Sequence, residues 1–421
     1  MYCESVMAEP LLKANPKRLS KSNEGVDSWY PYYAGFSSDF ARAALANLLE
    51  TPGVVLDPWN GSGTTTWAAQ VLGHTGIGVD LNPFAGLVAS AKLVELGCLS
   101  DALKPAKALL NRRAPARARR SYQKDPLAAW LPPAVGCHLQ DLLLDVAGGP
   151  LAKRIPAPLE SLLCLCLVRA ARDLAVVPNS NPTWVTPRSQ YRATQPVFRA
   201  GFLQEVERLA QDRLQHPHAA RPRSGKVLIG DSRSLDLGDE SVDVVLGSPP
   251  YCTRIDYAVK TSFELAAIGL GSKEKLRQIR QDLMGTTTIR SRKVARIPRW
   301  PSSVKALLAQ VEGHSSDGSV RYYHKNLCQY FSDAHASVAE IQRVMKRGGA
   351  ALLVVQNSYY KEINIDLAEL FGDLAAEAGL ASSVVRDLPV WPVMTNLNPK
   401  ARKYRQDRTY TESIIRLEKS K

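Results

Sequence analysis

The sequence predicts an α/β protein built on a mostly parallel sheet, interrupted by a largely helical insertion. Three observations lead there. Residues 54–57, a glycine turn over 58–63, a helical segment over 64–72 and residues 77–80 form a strand–helix–strand unit, whose two strands must run parallel. Short apolar strands return at 227–231, 242–246, 350–355 and 411–417. Between Leu93 and about Ser224 the apolar spacing is helical, with candidate helices at 139–146, 159–174 and 202–214 separated by proline-rich and basic loops.

Each element has a local reason. Residues 1–27 are polar and unpatterned; the aromatic run from Trp29 to Phe36 leads into a helix over 37–49, for which Ser37 or Ser38 supplies the N-cap. Val54-Val-Leu-Asp57 is short, branched and apolar, as a buried strand requires. Gly73 closes the helix that follows the glycine turn. Residues 242–246 run straight through Gly247 into Ser248-Pro-Pro-Tyr251, and an irregular basic stretch follows over 271–319. A helix is expected over 322–345, a turn at Lys346-Arg-Gly-Gly349, and a further helix over 365–378.

Composition narrows the class. Of 421 residues 45% are hydrophobic and 22% charged, which supplies a large core and excludes a chain disordered throughout. No apolar stretch approaches the ~18 residues that span a bilayer. Lys and Arg number 54 against 40 Asp and Glu, a net +14 that must lie on the surface and favours a polyanion, nucleic acid first. The seven cysteines are odd in number, form no C-x-x-C pair, and follow no apolar signal core, which together predict a reduced, cytoplasmic setting. Histidines such as His74, His138, His216 and His218 show no ligand spacing, so no metal is expected.

Two motifs carry chemistry. Asp57-Pro-Trp-Asn-Gly-Ser-Gly-Thr-Thr65 puts Gly61 and Gly63 where a strand becomes a helix, so that the backbone can approach a ligand at the strand's carboxyl end. Thr66 stands where a dinucleotide fingerprint has its third glycine, and the Lys of a phosphate-binding loop is missing. Asp80, at the end of the next strand, is placed to accept hydrogen bonds from ribose hydroxyls. In Ser248-Pro-Pro-Tyr251 the prolines remove donors and leave carbonyl acceptors beside an aromatic face, which suits a flat base bearing an amino group.

On these residues the chain resembles the S-adenosylmethionine-dependent amino-methyltransferases of DNA, in particular the cytosine-N4 group. Asp57–Thr65 matches D-P-x-x-G-S-G-T-T, residues 78–83 match G-V-D-L-N-P, Gly230-Asp231 matches the G-D segment, and residues 248–251 match S-P-P-Y. The resemblance covers about residues 28–95 and 226–417. It implies a Rossmann-like methyltransferase fold with a mostly parallel seven-stranded sheet and helices on both faces. Together with the patterning of the rest of the chain, it predicts a flexible N-terminus over 1–27, a catalytic domain from 28–95 and 225–421, a helical insertion over 96–224 that is the candidate target-recognition region, and a second basic insertion over 271–319.

By the same resemblance S-adenosylmethionine is the cofactor: Asp57, Gly61, Gly63 and Thr64 surround its methionine part, Asp80 holds the ribose, Asp231 approaches the adenine amine, and Phe36 and Trp59 pack nearby. Trp59 replaces the more usual Phe, and S-P-P-Y follows the glycine motif where many relatives have it first. Ser248, Pro249, Pro250 and Tyr251 are the expected catalytic residues, and Ser at the first position points to cytosine, since adenine-specific relatives usually carry Asp or Asn there. The amine's lone pair is delocalised into the ring, so acceptors must favour a tetrahedral nitrogen in line with the methyl. No covalent intermediate is needed, and Cys252 reads as a buried thiol because the surroundings of a cytosine-C5 nucleophile are missing. Basic runs containing Arg112 and Arg113, Arg290, Arg292 and Lys293, and Arg402 and Lys403 are the expected phosphate contacts of double-stranded DNA. A partner nuclease of a restriction or defence system would be another chain. DNA adenine-N6 methylation, RNA amino-methylation and a non-catalytic nucleic-acid-binding role are the alternatives.

Overall fold

The computed structural model describes residues 14–16, 25–30, 35–111, 122–148, 157–175, 193–215, 225–252, 255–289, 300–316, 318–390 and 408–421. Strands β1 (Val54–Asp57), β2 (Thr75–Asp80), β3 (Lys226–Ile229), β4 (Val242–Gly247), β5 (Met345–Gln356), β8 (Leu380–Pro389) and β9 (Thr411–Lys419) make one sheet in the order β3-β2-β1-β4-β5-β9-β8. A small hairpin, β6 (Ser358–Tyr360) and β7 (Ile363–Ile365), stands apart. From β3 to β5 all neighbours are parallel, whereas β9 runs antiparallel to both β5 and β8. The direction of winding reverses between β1 and β4, which opens a crevice at the strands' carboxyl ends.

Alternate strand residues feed two cores. Val55, Val244 and Leu352 face one layer, and Leu56, Val245 and Leu353 the other. The first layer comprises α1 (Ser38–Leu48), α2 (Thr64–Val71), α3 (Pro83–Lys92) and the helices of the insertion, α4 (Leu103–Leu110), α5 (Pro133–Ala147), α6 (Ala157–Asp173) and α7 (Gln195–Leu214). After β4 come α8 (Tyr257–Lys260), α9 (Ser262–Ala267) and α10 (Lys273–Asp282); the second layer holds α11 (Ser302–Glu312), α12 (His324–Val344) and α13 (Leu367–Glu377). Leu162 to Val168 is buried all round, because α6 lies between α3, α5 and α7. The insertion therefore shares one continuous core with the sheet.

Several expectations are corrected. Residues 346–349 do not end a helix in a free turn. They bulge out within β5, so that Met345 pairs with Val242 while Ala350 already pairs with Val244. Gly348, at φ +74°, supplies the left-handed backbone, and Lys346 is tied to Asp243 at 2.7 Å. The expected helix over 322–345 begins at His324, behind a wide turn at Ser319–Tyr323. The stretch 271–319 contains two regular helices, α10 and α11. A short 3-10 turn at Gly25–Trp29, just ahead of the expected domain start near residue 28, buries Val26 and Trp29.

Candidate functional site

The crevice at the switch point encloses about 840 Å³ of free space, including its open mouth. Of the residues singled out by sequence, Phe36, Asp57, Trp59, Gly61, Thr64, Asp80, Ser248, Pro249, Pro250 and Tyr251 all line it. Gly63 and Asp231 do not. Arg112, Arg113, Arg290, Arg292, Lys293, Arg402 and Lys403 lie outside the described residues.

The glycine turn is held from both sides. Gly61 at φ +48° and Gly63 at φ +81° bend the chain from β1 into α2. A Cβ on Gly63 would come within 2.6 Å of the Ala89 Cβ, so this glycine serves the close packing of α2 on α3 rather than the crevice wall. The Asp80 carboxylate accepts hydrogen bonds from the Gly61 amide and the Asn82 amide, each at 2.8 Å, joining the ends of β1 and β2. Asn82 is fully buried and donates to the Thr261 hydroxyl at 3.0 Å, which anchors this rim to the corner between α8 and α9. Burial raises both Asp57 and Asp80 above the usual carboxyl range, Asp57 to about 7.

The second motif is braced from β5 and α12. The Ser248 hydroxyl donates to the Val354 carbonyl at 2.8 Å, so the oxygen's lone pairs are what it can offer a ligand. Buried Tyr330 donates to the Pro250 carbonyl at 2.9 Å, and the Tyr251 hydroxyl reaches Gln356 at 3.4 Å. Cys252 is buried and its thiol is pushed up to about 12, which leaves it a poor nucleophile at neutral pH. Among the described residues no group of His, Cys, Asp and Glu is arranged to hold a metal.

Of the remaining wall, Gly35, Pro58, Asn60, Ser62, Leu81 and Gly230 lie within stretches read from the sequence, whereas Ser232, Tyr257, Leu283 and Met284 were not singled out. Leu283 and Met284 reach the crevice because Gly285 lies against the Tyr251 carbonyl, where a Cβ would approach to 2.6 Å. An apolar pair followed by glycine at the end of a highly polar helix was the available signal. Asp256 is buried, caps α8 through the Val259 amide, and pairs with Arg280 at 2.7 Å, holding the chain after Tyr251 against α10.

Sheet order and crevice together define a Rossmann-like methyltransferase fold. No family model matches the chain. It is 24% identical over 316 residues to the Type II methyltransferase M.BsoBI of Geobacillus stearothermophilus, a match covering 68% of this chain and 60% of that protein. It is 26% identical over 161 residues to the Type II methyltransferase M.AvaI of Nostoc sp., covering 35% of this chain and 32% of that protein. The chain thus spans at most about 60% of the length of these relatives. Among solved structures, the rRNA methyltransferase AviRa of Streptomyces viridochromogenes aligns at a TM-score of 0.31 and 11% identity, covering 95% of this chain and 94% of that one. Fold and relatives imply S-adenosylmethionine as the methyl donor.

The residues present fit such a donor. The crevice brings the glycine turn at Gly61, the carboxylate of Asp80 and the aromatic residues Phe36 and Trp59 to one place, a set suited to a donor with a ribose and a flat base. Asp80 retains acceptor capacity beyond its two backbone amides.

Proposed function

We propose that this chain methylates double-stranded DNA at the exocyclic N4 amine of cytosine, using S-adenosylmethionine. The observation that carries the reading is the Ser248 hydroxyl. Because its proton is committed to the Val354 carbonyl, it is an acceptor, and it stands in the same crevice as the glycine turn. An amine that donates its N–H groups to acceptors set for a tetrahedral nitrogen keeps its lone pair out of conjugation with the ring and in line with the methyl, and it sheds a proton to solvent as the N–C bond forms and the S–C bond breaks.

S-adenosylmethionine supplies a methyl group on a sulfonium centre. Gly61 and Thr64 border its methionine end, Asp80 accepts from its ribose hydroxyls, and Phe36 and Trp59 cover it with apolar surface and exclude water. Ser248 and the Pro249 carbonyl receive the N–H groups of a base turned out of its duplex, and the Tyr251 ring stacks on that base. Tyr330, through the Pro250 carbonyl, keeps the proline pair from yielding as the base enters. The net charge of +14 and the three basic runs supply attraction to phosphates. No helix among the described residues is long and apolar enough to cross a membrane, and we assign the chain to the cytoplasm with its DNA. A cognate nuclease of a restriction system would be a separate protein.

The test is product identification: DNA incubated with the protein and donor is digested to nucleosides and analysed by mass spectrometry. N4-methylcytosine is expected. N6-methyladenine would overturn the base assignment, and methylation of RNA alone would overturn the DNA assignment.

A further inference from the structure

The resemblance implies that Asp231 meets the donor's adenine amine directly, yet Asp231 does not line the crevice, whereas its neighbours Gly230 and Ser232 do. The Asp231 carboxylate is taken up by Arg233. The Arg233 Nε donates to both its oxygens at 2.8 and 3.0 Å, Nη2 adds a bond of 2.6 Å, and the Arg233 amide a fourth at 2.9 Å. The same guanidinium reaches two other elements. Nη1 donates to buried Asp333 on α12 at 2.7 Å, and Nη2 to the carbonyl of Asp282, the last residue of α10, at 2.8 Å. Asp282 immediately precedes Leu283 and Met284, which form crevice wall. One helical turn from Asp333, the Ser337 hydroxyl shares a hydrogen bond of 2.9 Å with Ser232, so one face of α12 fixes both Arg233 and the crevice-lining serine.

We infer that Arg233 is a positioning residue for the donor crevice: its planar fork neutralises Asp231 and clamps the Leu283–Met284 wall, and the adenine end of the donor is met by Gly230 and Ser232. Lysine cannot substitute, since a single ammonium cannot satisfy two carboxylates and the Asp282 carbonyl in one plane. The inference rests on the donor assignment above and departs from the direct role implied for Asp231.

The test is a double-mutant cycle of Asp231→Asn and Arg233→Gln, read by calorimetric titration with S-adenosylhomocysteine. Asp231→Asn should weaken binding in the parent and have no further effect in Arg233→Gln, which itself weakens binding by about tenfold, within the range for members of one hydrogen-bond network. An equal loss from Asp231→Asn in both backgrounds would show that Asp231 touches the ligand itself and would overturn the inference. Arg233→Lys should keep the melting temperature but not recover affinity; recovery would show that charge alone suffices and would refute the fork. Hydrogen exchange without ligand should be faster at residues 283–289 in Arg233→Lys, and unchanged exchange there would also count against it. If the parent protein binds no S-adenosylhomocysteine, the donor assignment fails, while the exchange measurement still reads the fork.

Discussion

Asp57 offers the sharpest quantitative test, because a carboxyl group is buried at the end of β1 without a cation beside it among the contacts that set its ionisation. Burial, reinforced by the charge of Asp80, moves it from an ordinary value of 3.8 to about 7. Between those two values the folded chain keeps a proton that the unfolded chain has lost. Stability therefore declines as pH rises from about 4 to about 7 and levels off above, by at most about 4 kcal/mol from this group. Asp57→Asn removes the titration. In urea denaturation without ligand, the variant should match the parent near pH 4, within the cost of one altered hydrogen bond, and exceed it near pH 8 by up to those ~4 kcal/mol. A difference between parent and variant that is the same at both pH values would refute the reasoning. A cationic donor should favour the ionised carboxylate, so calorimetry near pH 6 should record more proton release with S-adenosylmethionine than with uncharged-sulfur S-adenosylhomocysteine.

Other outcomes follow from the same geometry. Gly63→Ala must both hold φ near +81° and displace Ala89, and should lower stability by about 2–4 kcal/mol in thermal or chemical unfolding, whereas Gly97→Ala, in open space, should be near neutral. Tyr251→Ala should lose base stacking of ~1–3 kcal/mol and most methyl transfer in a radiolabel assay, while retaining donor affinity. Replacing Arg290, Arg292 and Lys293 together should flatten the dependence of log K for DNA on log salt by about 2–3; an unchanged slope would remove that run from the DNA contact.

The sheet was legible where its signal is local. β1, β2 and β4 are short apolar runs next to glycine or proline turns, and the helix after the glycine turn follows from its own spacing. β8 was not legible: it is an edge strand with most of its residues exposed or half-exposed, and Leu-Ala-Ser-Ser-Val-Val carries no run that a core would demand. The turn expected at Lys346–Gly349 was read correctly as a break, but only pairing with β4 shows that the strand continues through it. At the site, most residues of the two motifs line the crevice because backbone geometry fixes them there. Asp231 lies outside the crevice lining, and the Arg233 that holds its carboxylate also pairs with Asp333, 102 positions from Asp231, a contact that no local pattern records. Leu283 and Met284 are brought to the crevice by Gly285 packing on Tyr251, again a long-range event.

The bulge in β5 has a reach beyond its own loop. It takes up residues 346–349, so that Ala350 to Leu353 keep their pairing with β4 and Val354 presents its carbonyl to Ser248, roughly 15 Å farther along the strand. A residue gained or lost inside the bulge can be absorbed there, whereas a slip of β5 by one position beyond it would turn its carbonyls to the other side and free the Ser248 proton. The direction of that hydroxyl is thus guarded by slack at the far end of the same strand.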